Sequence, residues 1–376
     1  MDSPDSSTSS GYENGRNKVL ENKGLAISQL TLNAELNEQA YPQYAIKLKE
    51  TKEQGEVLTL SIRQFEDIQW LYNCLRKGCD KCGIIYPPMP DPPADFIEID
   101  AEENIDRKLR RESKRVTRYL DSLTSHPTLK SCPEIEIFLK EKVLPEKEEE
   151  KASLFSKISS LFTSKSSSAF IRDIDDFFEL EQIYATKYEQ LIRQLNEAHT
   201  EVVECLKRLA GQHGHIGACL SMPVDGVSKR GKKMIHIHAQ MTSYFKNFQF
   251  WMELAISSSQ VTLGQAAGFY WAYTCNELEM FQRRKDLLIE YQEANATLGK
   301  SVGQKREVAA KKQKEVERKL EECSDTARDE IRWFVKKRSK DLLSTVQEYA
   351  AERSKYEHKI LLAIQDSLEE LRKAPE

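Results

Sequence analysis

Apolar positions change their period twice along the chain, and each change marks a different kind of structure. Residues 1–23 are polar and serine-rich with no period, the pattern of a disordered tail. Leu25 and Ile27 alternate with polar neighbours, then the phase slips to Leu30 and Leu32, which predicts a strand carrying a β-bulge. Tyr44, Ile46 and Leu48 alternate next, Lys52 to Gly55 supplies a turn, and Leu58, Leu60 and Ile62 alternate after it. The expected product is a three-stranded antiparallel meander with one apolar face.

The pattern then turns helical. Phe65, Ile68, Leu71, Tyr72 and Leu75 fall at steps of three and four, and Gly78 is a stop signal. The run from Tyr86 to Pro93 holds five prolines and predicts a stiff polyproline II segment. A charged helix over 104–124 follows, His126-Pro127 ends it, and a short helix closes the module near Phe138 and Leu139. The acidic run Glu146 to Glu150 reads as a solvated linker.

Residues 151–165 have another character. Leu154, Phe155, Ile158, Leu161 and Phe162 share one helical face, while lysine, serine and threonine fill the other without a single acid. That composition suits a helix lying in a membrane interface.

From Ser168 to the end helical periodicity persists. Three long helices are expected, with a first break over Gly211 to Gly226, a kink within Ile256 to Gly268, and a turn bracketed by Gly299 and Gly303. Helices of about 70 residues are on the order of 100 Å long. Three such helices form too thin a bundle to enclose all their apolar positions, so a second chain is expected to cover part of them. Tyr244, Phe245, Phe248 and Trp251, with Phe177 and Phe178 opposite, are the expected dimer seam. The chain thus divides into a tail (1–23), an α+β module (24–145), a linker with an amphipathic helix (146–168) and an all-α domain (169–376).

Composition narrows the function. The 56 basic and 60 acidic residues give a net charge of −4, and no groove-reading motif accompanies the basic clusters, which argues against nucleic acid. Charged residues make up 31% and glycines number only 15, which fits long exposed helices. No apolar run is long enough to span a bilayer, and the N-terminus lacks the apolar stretch of a secretory signal, so membrane contact is expected to be peripheral and cytosolic. The eight cysteines are scattered and read as reduced thiols. Cys79 and Cys82 have no second pair at zinc spacing, and His213/His215 and His236/His238 read as surface residues, so neither metal nor cofactor is expected. With no nucleotide-binding glycine loop, nucleophile elbow or Cys/His dyad, no catalytic residue is assigned and the chain is not read as an enzyme. Between Arg283 and Lys319 eleven basic residues face six acidic ones. Within that stretch Arg283, Arg284, Lys285, Lys305, Arg306, Lys311 and Lys312 are the expected contacts to anionic lipid.

The stretch Arg63-Gln64-Phe65-Glu66-Asp67-Ile68-Gln69-Trp70-Leu71 resembles the motif at which PX domains bind phosphoinositide, and Pro87-Pro88-Met89-Pro90 resembles their proline motif. A PX module, an amphipathic helix and three long helices in this order resemble the SNX-BAR sorting nexins. Asp173-Ile174-Asp175-Asp176-Phe177-Phe178-Glu179 and Arg283-Arg284 are most similar to the branch holding sorting nexins five and six. The resemblance implies an α+β PX domain followed by a three-helix BAR domain. It further implies a peripheral adaptor on the cytosolic face of early endosomes that dimerises, senses or induces curvature, and supports cargo sorting into tubular retrograde carriers. Implied partners are a sorting nexin of the one/two type as heterodimer or a second copy as homodimer, together with anionic lipids and cargo-tail peptides. The implied lipid pocket is Arg63, Gln64, Phe65, Arg110 and Arg111. Its phosphate-pairing arginine is replaced by Gln64 and the lysine after the proline motif by Asp91-Pro92-Pro93, so binding of phosphatidylinositol 3-phosphate is not expected. A rival reading is a PX module that recognises a peptide or another phosphoinositide, with the helices serving only as a dimerisation rod.

Overall fold

In a computed structural model of the chain, residues 27–52, 55–78, 82–93, 105–145, 173, 175–221 and 229–373 are described. Strands β1 (Ile27–Leu36), β2 (Pro42–Lys52) and β3 (Gly55–Arg63) form one antiparallel sheet in the order β1-β2-β3. The register shifts between Ile27 and Gln29, which is where the slip in apolar phase predicted a bulge.

The buried face of the sheet carries Leu32 from β1 and Tyr44, Ile46 and Leu48 from β2. On β3 the expectation fails: Leu58, Leu60 and Ile62 are exposed, and Ser61 and Arg63 face the core instead. The register sets this, because Ser61 pairs with Ile46 and Arg63 with Tyr44, so the odd-numbered residues share the inner face. Buried Arg63 is tolerated because its guanidinium donates to the Phe138 carbonyl at 2.8 Å, to that of Ile62 at 3.0 Å and to that of Glu141.

Helices α1 (Phe65–Gly78), α2 (Ile105–Thr124) and α3 (Pro133–Lys140) cover that face. Ile68, Leu71, Val116, Tyr119, Leu123 and Phe138 complete its core.

The helical domain consists of α4 (Asp176–Leu220), α5 (Lys229–Ser259), a π-helical turn (Gln260–Gly264), α6 (Gln265–Lys300) and α7 (Gln304–Arg372). Asp175 caps α4 by accepting from the Phe177 N–H at 3.0 Å. Where a kink is predicted the helix makes a π-helical turn, a known cause of helix bending. The predicted break over Gly211 to Gly226 starts later than its first glycine, since α4 continues to Leu220 before α5 begins at Lys229. Gly217 serves packing: a Cβ on it would stand 3.2 Å from the Phe245 Cβ, so α4 and α5 approach closely.

One core in this domain gathers Phe178, Tyr270, Tyr273, Ile331 and Phe334, and a second gathers Val203, Ala210, Met252, Ile256 and Ile360. The α+β module is fastened to the first of them. Ile84 and Ile85 are consecutive and both 0% exposed, yet Ile84 packs in the module core and Ile85 in the helical core. The proline loop is therefore clasped between the two domains.

Candidate membrane and partner surfaces

The pocket read from the sequence is built from the β3–α1 junction, the proline loop and α2, and it is closed from within. Arg63 is held by backbone carbonyls, and Phe65 is buried in the module core, where it cannot stack on a sugar ring. Gln64 is exposed, its N–H donating to Asp67 Oδ2 at 2.8 Å as part of the α1 cap. Arg110 is exposed. Arg111 is half-buried, its guanidinium pKa lowered by burial, and its backbone carbonyl accepts from Gln265 Nε2 at 2.8 Å.

The sequence reading missed the next residue. Glu112 is buried and ion-paired with Arg115 over the Tyr44 phenol. Burial raises the Glu112 carboxyl pKa, Arg115 opposes the rise, and Asp91 adds to it. Burial, followed by the Glu112 charge, likewise raises the Tyr44 phenol. A buried carboxylate and a neutralised arginine oppose phosphate binding at this place.

The basic face of α2 points elsewhere. Lys114 pairs with Glu348, and Arg107 stands 3.9 Å from Glu253, both acids belonging to the helical domain. Arg118 lies near Tyr270, Glu348 and Asp341, with its pKa lowered by burial. From α1, Arg76 pairs with Glu279 at 2.8 Å. Asn276 Nδ2 donates to the Tyr86 carbonyl at 2.8 Å, and the Ile85 N–H donates to Glu330 Oε2 at 3.3 Å.

The expected lipid contacts divide into two groups. Arg284 is only 5% exposed: it donates to Ser324 Oγ at 2.9 Å, pairs with Asp173, and lies 3.5 Å above the Phe178 ring. Arg283 donates to the carbonyls of Cys82 at 3.2 Å and Ile84 at 2.6 Å. These two arginines bind the chain together and are withdrawn from the lipid assignment. Lys285 is half-buried, whereas Lys305, Arg306, Lys311 and Lys312 are exposed near the α6–α7 turn.

The expected seam also moves. Phe178 is buried within the chain, Phe177 packs on the first helical core, and Phe248 and Trp251 pack on the second. Tyr244 and Phe245 are half-buried in ring contacts with each other and their neighbours. A different apolar face is open to solvent. Leu180, Tyr184, Leu191, Leu195, Val202, Leu209 and Ile216 on α4 are all exposed. At 100° per residue these seven fall within an arc of about 60°. The buried residues Phe178, Ala185, Ile192, Val203 and Ala210 occupy the neighbouring arc. The apolar surface of α4 is thus wider than its own chain covers. At the end of α4, Leu220 joins Met234, Ile235, His238 and Thr242 of α5 in an open apolar groove.

Leu154, Phe155, Ile158, Leu161 and Phe162 lie outside the described residues. Among the described residues no helix is long and apolar enough to cross a membrane, and no group of three or more acidic, histidine or cysteine side chains could hold a metal.

Comparison with known proteins agrees with this architecture. A family profile described as the PX domain matches residues 53–142. Sorting nexin-32 of Mus musculus is 22% identical over 84% of this chain and 85% of its own length. Sorting nexin-6 of Homo sapiens is 21% identical over 72% of this chain and 73% of its own length. Among solved structures, the cryo-EM structure of the SNX-BAR Mvp1 tetramer superposes with a TM-score of 0.56 at 11% identity, covering 90% of this chain and 99% of that one.

Proposed function

We infer, for a chain that belongs to the sorting nexins joining a PX domain to a BAR domain, the work of a peripheral adaptor that dimerises and shapes endosomal membrane into cargo-sorting tubules. One observation carries this reading: the exposed apolar stripe on α4, which a single chain leaves uncovered. A second chain laid along it, either a copy or a sorting nexin of the one/two type, completes a long double array. Basic side chains near the α6–α7 turn (Lys305, Arg306, Lys311 and Lys312) then meet anionic lipid, and the segment 151–165 enters the interface through Phe155, Ile158 and Phe162. Targeting by phosphatidylinositol 3-phosphate falls to the partner, because Glu112 and the inward Arg63 leave this PX pocket unsuited to it.

Electron microscopy of liposomes tests the reading. The protein, alone or mixed with a one/two-type partner, is expected to draw phosphatidylserine liposomes into tubes, and Leu191→Glu with Leu195→Glu is expected to abolish them. Spherical liposomes under every condition would refute it.

A second reading has its own observation. Leu58, Leu60 and Ile62 stand exposed on the edge strand β3, a surface suited to an added strand from a cargo peptide. Leu60→Asp is expected to abolish peptide capture without changing liposome tubulation.

A further inference from the structure

The turn between α6 and α7 carries Val302, which is 84% exposed, more than any other large apolar side chain among the described residues. The turn itself does not need a valine. Its shape comes from Gly303, whose φ of +63° and ψ of −142° suit glycine alone. Hydrogen bonds brace it on both sides: the Ser301 N–H donates to the Leu298 carbonyl at 3.3 Å, and the Arg306 N–H to that of Gly303 at 3.0 Å. Val308, five residues beyond Gly303, is 70% exposed. Over residues 300–314 six basic side chains stand against the single acid Glu307, with Lys312 also 4.0 Å from Glu290 of α6. All six are exposed.

An apolar side chain at the apex of a braced turn, followed by exposed cations, lacks the length of stripe that a helical protein partner would require. Its complement is an anionic bilayer, where phosphates meet the lysines and the acyl region receives the valine. We propose that Val302 inserts past the headgroups of an anionic membrane, so that each tip of the dimer is an apolar plug within a basic collar. This rests on the reading of the tip as a lipid contact and adds what the tip does on arrival. Burying one valine per tip strengthens binding about five- to tenfold beyond electrostatics alone.

The test uses the full-length chain and vesicles of phosphatidylcholine with phosphatidylserine. Val302→Trp is compared with wild type on vesicles whose phosphatidylcholine is brominated along the acyl chains, and Val302→Ser is titrated against ordinary vesicles. The added tryptophan is expected to be quenched by the brominated chains, and the serine variant to bind at least about five- to tenfold more weakly, since both tips of the dimer lose a valine. Vesicle binding with no added quenching and an unaffected serine variant would overturn the insertion alone. Failure of wild type to bind the vesicles at all would overturn the tip reading as well. A serine variant that loses particle mass in solution would mark Val302 as a protein contact and likewise overturn the proposal.

Discussion

Glu330 Oε2 stands 2.9 Å from His126 Nε2, and this pair ties the helix end of the PX module to the longest helix of the BAR domain. His126 Nδ1 accepts from the Thr128 and Leu129 N–H groups at 3.2 Å each, which fixes the ring with Nε2 as the nitrogen nearer the carboxylate. The Trp333 ring packs against the imidazole, tilted by 56° with centroids 4.5 Å apart. Glu330 also receives the Ile85 N–H and, at 3.3 Å, the Thr128 hydroxyl. One buried carboxylate therefore reads two separate loops of the PX module. Glu330→Ala is expected to cost about 3–5 kcal/mol, because it strands several buried donors at once. Thermal unfolding would measure the loss. Hydrogen exchange is expected to quicken at 82–86 and 126–130 while the sheet stays protected.

The two groups of basic residues should separate cleanly. Arg284→Ala removes the partner of Asp173 and Ser324 and is expected to destabilise the fold by about 3 kcal/mol. Lys305→Glu with Arg306→Glu touches only exposed groups and is expected to leave the melting temperature within a degree or two. The double variant should instead weaken binding to phosphatidylserine vesicles about tenfold or more, as two cations become anions. Paired melting curves and vesicle sedimentation distinguish the groups.

Phosphatidylinositol 3-phosphate should not recruit this chain on its own. Adding it to phosphatidylserine vesicles is expected to change affinity less than twofold, and Gln64→Arg is expected not to restore binding. A new arginine there would still lack Phe65, which lies in the core. Saturable micromolar binding by the wild-type chain would contradict the pocket as described.

Glu277 gives the fold a pH signature. It is buried against Arg338 at 3.1 Å, and burial pushes its carboxyl pKa up to about 7 despite that partner. A carboxyl pKa higher in the folded chain than in the unfolded one means the native state holds the proton longer. The contribution is therefore fully present below about pH 4.5 and is lost as pH rises through about 7. Glu277→Gln removes that titration. The stability of wild type relative to the variant is expected to fall by about 1–3 kcal/mol between pH 5 and pH 8. Urea unfolding at both pH values checks it.

Much of the fold was legible because local period decides it. The bulge after Ile27, the helix from Phe65 to Gly78, the interruption ending at Gly264 and the third long helix all follow from apolar spacing and the positions of glycines. The face of β3 did not, because a strand with Leu58, Leu60 and Ile62 on one side and Arg63 on the other looks amphipathic in the opposite sense. Only the register with β2 and the carbonyls of α3 reveal that Arg63 is satisfied inside. Arg283 and Arg284 misled for a related reason, since adjacent arginines signal lipid until Asp173 and the carbonyl of Ile84 are brought to them from distant segments. The seven-residue spacing of Leu195, Val202, Leu209 and Ile216 was present in the sequence. Apolar period alone did not say that the chain buries the neighbouring arc and leaves this one open.

The central claim is that a second chain covers the α4 stripe, and the mass of the particle in solution tests it most directly. Light scattering on the size-exclusion peak at micromolar concentration is expected to give twice the 43.4 kDa of one chain, or the sum of this chain and a related PX-BAR chain when the two are mixed. Leu191→Glu with Leu195→Glu should return the mass to that of a single folded chain. A monodisperse, fully folded wild-type monomer that takes up no chain of this layout would contradict the account.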